Sequence, residues 1–310
     1  MVFWVILMKK LFTNMLVPAV SLQDVSMIAD EAIRMARQLQ CHVHFLCFTP
    51  GASSSPASPA SSSSSSFSQA RSSSHTRSSL ARTQSSSGDA GLDSFDRMKF
   101  CIHQRYMLQP GPPCPMIITR QTGPVINGIL EYYSRNGIDL ILLGRFRRAG
   151  AIHVNMLLKK IDCPVITIYK QPAASGLKNI VLPVGDHLPM RKLLFATYLA
   201  RITHSTIHLV TAAGKSGDPD EKSIETLQKS YRLLKENTDL PVQCMTLPGG
   251  NLAEITWNYA RGIKADLIMV SAGKESLLSG FLNGLRAKYL HGAWSRSLLN
   301  ISRIPVMSIG

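Results

Sequence analysis

The residues with most chemical capacity in this sequence stand just beyond short apolar runs. Val184, Gly185 and Asp186 follow the run Asn179–Pro183, and Gly273, Gly280, Gly284 and Gly292 are strung out after Asp266–Val270. Glycines let backbone N–H groups approach phosphate oxygens, and a helix N-terminus behind them adds a favourable dipole, so the chemistry on offer is the cradling of an anion. The plainer reading of the same glycines is a loop that permits close helix packing. Arg145, Arg147 and Arg148 around Phe146 form a second basic cluster after Asp139–Leu143. No aromatic stacking platform or RNA-binding motif accompanies it, so a solvated loop is expected there.

Catalytic and metal chemistry find less support. His42 and His44 sit two apart on a strand-like run and so share one face, and His208 recurs at the position matching His44. Zinc needs three or four converging ligands, and no partner cluster is identifiable, so these are read as structural histidines and no metal is assigned. No G-x-S-x-G turn follows a strand, and no Ser or Cys has an assignable general base, so no catalytic residue is assigned and the chain is not read as an enzyme. Trp257, Tyr259 and Trp294 are expected to be core or interface aromatics.

The chain has 310 residues, 45% of them hydrophobic, which is enough for two independent cores. Its net charge of +15 favours anionic partners but is spread over both halves, so it does not mark a nucleic-acid arm. Binding to nucleic acid is therefore a minor alternative. The six cysteines lie mostly in or beside apolar runs and form no C-x-x-C pair, which fits buried thiols in a reducing compartment. The apolar stretch Val2–Leu7 is too short and wrongly flanked for a signal peptide, and no run reaches the length of a membrane span. A cytoplasmic protein with no membrane partner is expected.

The elements that must position these residues come twice. Asn14-Met15-Leu16-Val17-Pro18 returns as Asn179-Ile180-Val181-Leu182-Pro183, Val43-His44-Phe45-Leu46 as Ile207-His208-Leu209-Val210, Asp139-Leu140-Ile141 as Asp266-Leu267-Ile268, and Cys163-Pro164-Val165 as Ile304-Pro305-Val306. A further strand is expected in each half, Pro115–Arg120 and Val242–Leu247. Helices are expected over Leu22–Gln40, Ser94–Gln109, Pro124–Asn136 and Ile152–Ile161, and again over Pro189–Ile202, Pro219–Thr238, Leu252–Gly262 and about Gly284–Asn300. Strand–helix alternation predicts doubly wound parallel sheets of five strands. The first half is longer by the serine-rich run 51–92, whose few apolar residues cannot offset its ordering entropy and which is expected to be a disordered insert. Arginines among those serines would suit phosphorylation, although a neutral low-complexity insertion explains the run equally well.

Taken in order and duplicated, these strand motifs resemble the universal stress protein family. The resemblance implies an α/β fold of two flavodoxin-like (adenine nucleotide alpha hydrolase-like) domains over 11–171 and 177–310. A linker spans 172–176, and residues 1–10 are an N-terminal extension. It also implies that the domains pack as a pseudo-dimer through Val165–Ile168 and Val306–Ile309, a contact made between two chains in single-domain members; a homodimer of the tandem chain is the other possibility.

Nucleotide-binding members carry an Asp just after strand one and a G-x-x-G … G-[ST] phosphate loop after strand four, where strand order reverses. The first half has Ala19 and Val20 at the first place and a shortened loop, Gly144–Ile152, at the second. The second half keeps the length, with Val184 and a displaced Asp186, Gly273, Gly280 and Gly292, but Gly292-Ala293 lacks the hydroxyl. The resemblance therefore implies a stress-response protein that works by protein or small-ligand binding, through regulatory partners the sequence does not name. The alternative is a sensor of ATP or AMP with Mg in the second half, with slow ATP hydrolysis.

Overall fold

The computed structural model describes residues 10–49, 93–144, 154–168, 176–213, 221–248, 252–271 and 303–310. Its first half runs β1 (Asn14–Ala19), α1 (Leu22–Leu39), β2 (His42–Thr49), α2 (Ser94–Leu108), β3 (Met116–Thr122), α3 (Val125–Arg135), β4 (Leu140–Gly144), α4 (Val154–Leu158) and β5 (Val165–Ile168). The second runs β6 (Asn179–Pro183), α5 (Met190–Thr203), β7 (Thr206–Ala212), α6 (Glu221–Asn237), β8 (Val242–Leu247), α7 (Leu252–Gly262), β9 (Leu267–Ser271) and β10 (Val306–Ile309). The expected insert 51–92 and the expected helix near 284–300 lie outside the described residues.

Local chemistry accounts for these elements. α1 buries Val25, Ile28, Ala29, Ala32, Ile33, Ala36 and Leu39, the spacing of one helical face. The Ser21 hydroxyl caps it by accepting from the Asp24 N–H at 3.2 Å. Gln40 ends it in the left-handed region at φ 55°, and His204 ends α5 at the same φ. β1 and β6 are buried along almost their whole length, as central strands covered on both faces must be. α4 stops at Leu158, short of the expected Ile161, because the N–H groups of Lys160 and Ile161 both turn back to the Leu157 carbonyl.

All strands among the described residues belong to one ten-stranded sheet in the order β3-β2-β1-β4-β5-β10-β9-β6-β7-β8. Every pairing is parallel except β5 with β10, where Ile166 faces Met307 in antiparallel register. The expected strands do join the halves, but edge to edge, so the two five-stranded sheets are continuous. An antiparallel junction keeps the faces of a sheet in common. The helices α1, α2, α5 and α6 accordingly share one face and one hydrophobic cluster running from Met15 and Ile28 to Leu182 and Leu199. The opposite face is covered separately, by α3 and α4 around Ile129 and Leu157 and by α7 around Ala253 and Ala260.

Phe12 ties the halves together on the shared face. Fully buried, it stacks on Phe195 of α5 at 5.6 Å between ring centroids and meets Tyr198 edge-on at 5.4 Å.

Candidate functional site

In each half the strand order reverses between the first and fourth strands, β1 and β4 in one, β6 and β9 in the other, so a crevice opens beyond their carboxyl ends. At the first-half crevice the backbone donor after β1 is taken by the chain itself. The Asp24 carboxylate folds back to accept the Val20 N–H at 2.8 Å while the Asp24 N–H donates to Ser21, a reciprocal cap that uses up the donor directly after β1. Asp24 is 7% exposed, and burial raises its carboxyl above the usual range despite those hydrogen bonds.

The second-half crevice is built differently. Val184 is fully buried, and its N–H continues the sheet by donating to the Val210 carbonyl at 2.8 Å. Asp186 is half-exposed, with His187 Nε2 at 3.6 Å and Lys222 Nζ of α6 at 4.0 Å from its carboxylate. The Thr226 hydroxyl, which donates to the Lys222 carbonyl at 2.8 Å, lies 3.3 Å from the Asp186 carbonyl. Beneath them Lys192 is buried, its ammonium donating to the Pro183 carbonyl at 2.8 Å at the end of β6. When α1 and α5 are aligned on their left-handed caps, Ile28 occupies the position of Lys192 in the first half. A buried cation at one crevice thus answers an apolar side chain at the other. Lys192 and Lys222 place two ammonium groups at the carboxyl end of this half, able to attract an anionic group and tempered by Asp186.

Of the candidate residues read from the sequence, Val184 and Asp186 meet at this crevice. Gly273, Gly280 and Gly292 lie outside the described residues, as do the Arg145–Arg148 cluster and Trp294. Sequence reasoning missed Lys192, His187 and Lys222. The first is buried within α5, and the last comes from an element distant in sequence.

The histidines have a defined role toward the amino ends of the strands, away from the crevices. Asn14 Nδ2 donates to the Gly137 carbonyl at 3.3 Å, which leaves Oδ1 to accept from His44 Nε2 at 3.3 Å; Nδ1 then accepts from the Tyr132 hydroxyl at 3.0 Å. The second half repeats this, Asn179 to the Ile263 carbonyl at 3.4 Å, His208 to Asn179 at 3.1 Å and Tyr259 to His208 at 3.0 Å. Burial lowers the pKa of both imidazoles. For His44 the nearby His42 adds to the effect and Asp139 opposes it. Asp139 and Asp266 complete the motif by accepting the backbone N–H groups that open β1 and β6, from Thr13 at 2.7 Å and from Lys178 at 2.7 Å. Tyr132 and Asp139 have the same spacing as Tyr259 and Asp266, a signal in the sequence that would have linked them.

No group of three or more metal-binding side chains occurs among the described residues. All six cysteines are free, and burial pushes the thiols of Cys41, Cys47 and Cys163 up to about 12. No helix among the described residues is long and apolar enough to cross a membrane.

Fold and crevices together define a mixed α/β protein with the flavodoxin-like arrangement of universal stress proteins. No family model and no curated protein matches the sequence. Among solved structures, a universal stress protein from Archaeoglobus fulgidus DSM 4304 is similar over 97% of this chain and 98% of its own, with TM-score 0.60 and 12% identity. A functionally unknown protein from Pseudomonas aeruginosa PAO1 is similar over 97% of this chain and 93% of its own, with TM-score 0.57 and 12% identity. At this identity the likeness is one of fold.

Proposed function

We propose that this chain is a tandem universal-stress-type protein that acts in the stress response by binding, without catalysis, and that its crevices no longer handle ATP in the family manner. The observation that carries the reading is the fate of the backbone donors following the first strand of each half. The Val20 N–H is taken by Asp24 and the Val184 N–H by Val210, so neither is available to a base or a phosphate. Regulatory protein partners, or a small ligand other than ATP, then become the expected occupants.

A second reading has its own support. Lys192 at the end of β6 and Lys222 near Asp186 give the second-half crevice two cations, which favours a nucleotide such as ATP or AMP with Mg. Calorimetric titration of Mg-ATP and of AMP into the full chain separates the two. The first reading expects no saturable heat up to about 1 mM ligand. Micromolar binding that is lost in Lys192→Met would replace it with the nucleotide sensor, and phosphate release from the bound ATP would make that sensor an enzyme.

A further inference from the structure

Helix α2 is apolar on two opposite sides. Phe95, Met98, Ile102 and Tyr106 turn inward to the shared core. On the other side Phe100, Met107 and Leu108 are 59%, 79% and 81% exposed, with His103 and Gln104 between them. This five-residue outward stripe contains no formally charged side chain and is centred on Gln104.

The repeat supplies an internal comparison. α6 lies over β7 and β8, and α2 lies over β2 and against α1; α6 turns Ser223, Thr226, Ser230 and Leu234 inward. Its matching outward positions are Gln228, Tyr231, Arg232, Lys235 and Glu236, all exposed. The same fold in the same chain therefore tolerates a polar, charged helix at this place, and the apolar stripe of α2 is not required for folding.

The sheet edge on the α2 side is β3, which reaches the helix through Arg120. Among the described residues β3 pairs only with β2; it contains no proline and carries one charged residue, Arg120, which lies over the Phe95 ring at 4.6 Å and pairs with Asp93 of the α2 cap at 2.5 Å. Its outer backbone groups are thus a template for another strand, without the usual guards. The junction of β5 with β10 shows the consequence of antiparallel pairing in this molecule: equivalent helices fall on one face and touch, as α1 and α5 do.

We propose that the β3 edge and the outward stripe of α2 form the interface of a twofold homodimer, β3 pairing antiparallel with β3 of a second copy and α2 packing on its counterpart. The surfaces themselves select this occupant. Pairing β8 with β8 of another copy would press charged α6 faces together, at a desolvation cost. Pairing β3 with β8 would set an apolar stripe against a charged one and leave an edge free at each end, an assembly that does not close. Only the β3 pairing closes and also buries both stripes. This surface is separate from the crevices, so the inference stands independently of the ligand reading.

Sedimentation equilibrium of the full chain tests it. The wild type should run at twice the 34.0 kDa chain mass, and Phe100→Glu/Met107→Glu should run as the single chain with dimerisation weakened at least about a hundredfold. Arg232→Glu on α6 should leave the dimer intact. In Cys101→Ser/Cys244→Ser/Gln104→Cys the stripe midpoint should cross-link to itself on oxidation, a readout that survives if the double glutamate variant misfolds. A wild-type mass of 34.0 kDa at about 100 µM would overturn the proposal. So would a dimer indifferent to the glutamates, a dimer broken by Arg232→Glu, failure of the Gln104→Cys cross-link, or a monomer whose stripe binds lipid vesicles instead.

Discussion

Tyr259 holds its hydroxyl 3.0 Å from Nδ1 of His208, and Tyr132 holds its own at the same 3.0 Å from His44 in the other half. The two sites differ in one respect, since the Tyr132 oxygen also lies 3.4 Å from Thr119 Oγ1. Each tyrosine anchors an outer helix to the second strand of its half, and through His and Asn to the first.

Removing that hydroxyl leaves a buried imidazole nitrogen without its donor. Tyr259→Phe should cost about 1–2 kcal/mol of unfolding free energy, and Tyr132→Phe somewhat more because Thr119 is stranded too. Urea denaturation of the single variants and the double variant measures this; the effects should add, because the networks lie in separate halves.

Both imidazoles have folded pKa values below the ordinary 6.5, chiefly through burial. Between the folded value and 6.5 the unfolded chain binds protons that the folded chain does not. The networks therefore contribute fully above pH 6.5, and stability falls as pH drops from 6.5 through the folded values. Melting temperature should decline on acidification in this window, and His44→Gln/His208→Gln should flatten the decline while lowering stability at neutral pH.

Phe12→Ala removes a fully buried ring wedged against Phe195 and Tyr198. A loss of about 3–5 kcal/mol is expected from the cavity and the lost ring contacts. The ring spans the two halves, so differential scanning calorimetry should also show the unfolding transition broaden or split.

Gly128 lies in α3, where alanine would ordinarily stabilise a helix by about 1 kcal/mol. A Cβ there would stand 2.7 Å from Phe48 Cε1 and 2.9 Å from Gln121 Cγ. Packing should win, and Gly128→Ala should destabilise by about 1–3 kcal/mol in thermal melts. Adding Phe48→Leu should recover part of that loss.

Much of this architecture is written in local chemistry. Short apolar runs beginning at Asn14 and Asn179 and ending at Pro18 and Pro183 read as buried parallel strands, and the duplicated order of Asn, His and Asp identifies two equivalent halves. Period and composition suffice for that, because a strand covered on both faces must be apolar throughout and an amphipathic helix must repeat every three to four residues. The placement of Val184 and Asp186 at a strand end follows from the same reasoning.

What the tertiary structure decided depends on partners distant in the chain. The repeat cannot say whether two five-stranded sheets stack or join; the antiparallel register of Ile166 with Met307 makes them one. The histidines looked unpartnered in sequence because Asn14, His44 and Tyr132 meet only once β1, β2 and α3 are side by side. Lys192 reads as an ordinary helix cation, and it becomes a feature of the crevice only because α5 packs its amine against the Pro183 carbonyl. The helix expected over Ser94–Gln109 is present as α2, but the sequence does not say which of its two apolar sides fills the core and which meets solvent. Burial alone tells those two sides apart, and burial belongs to the folded molecule.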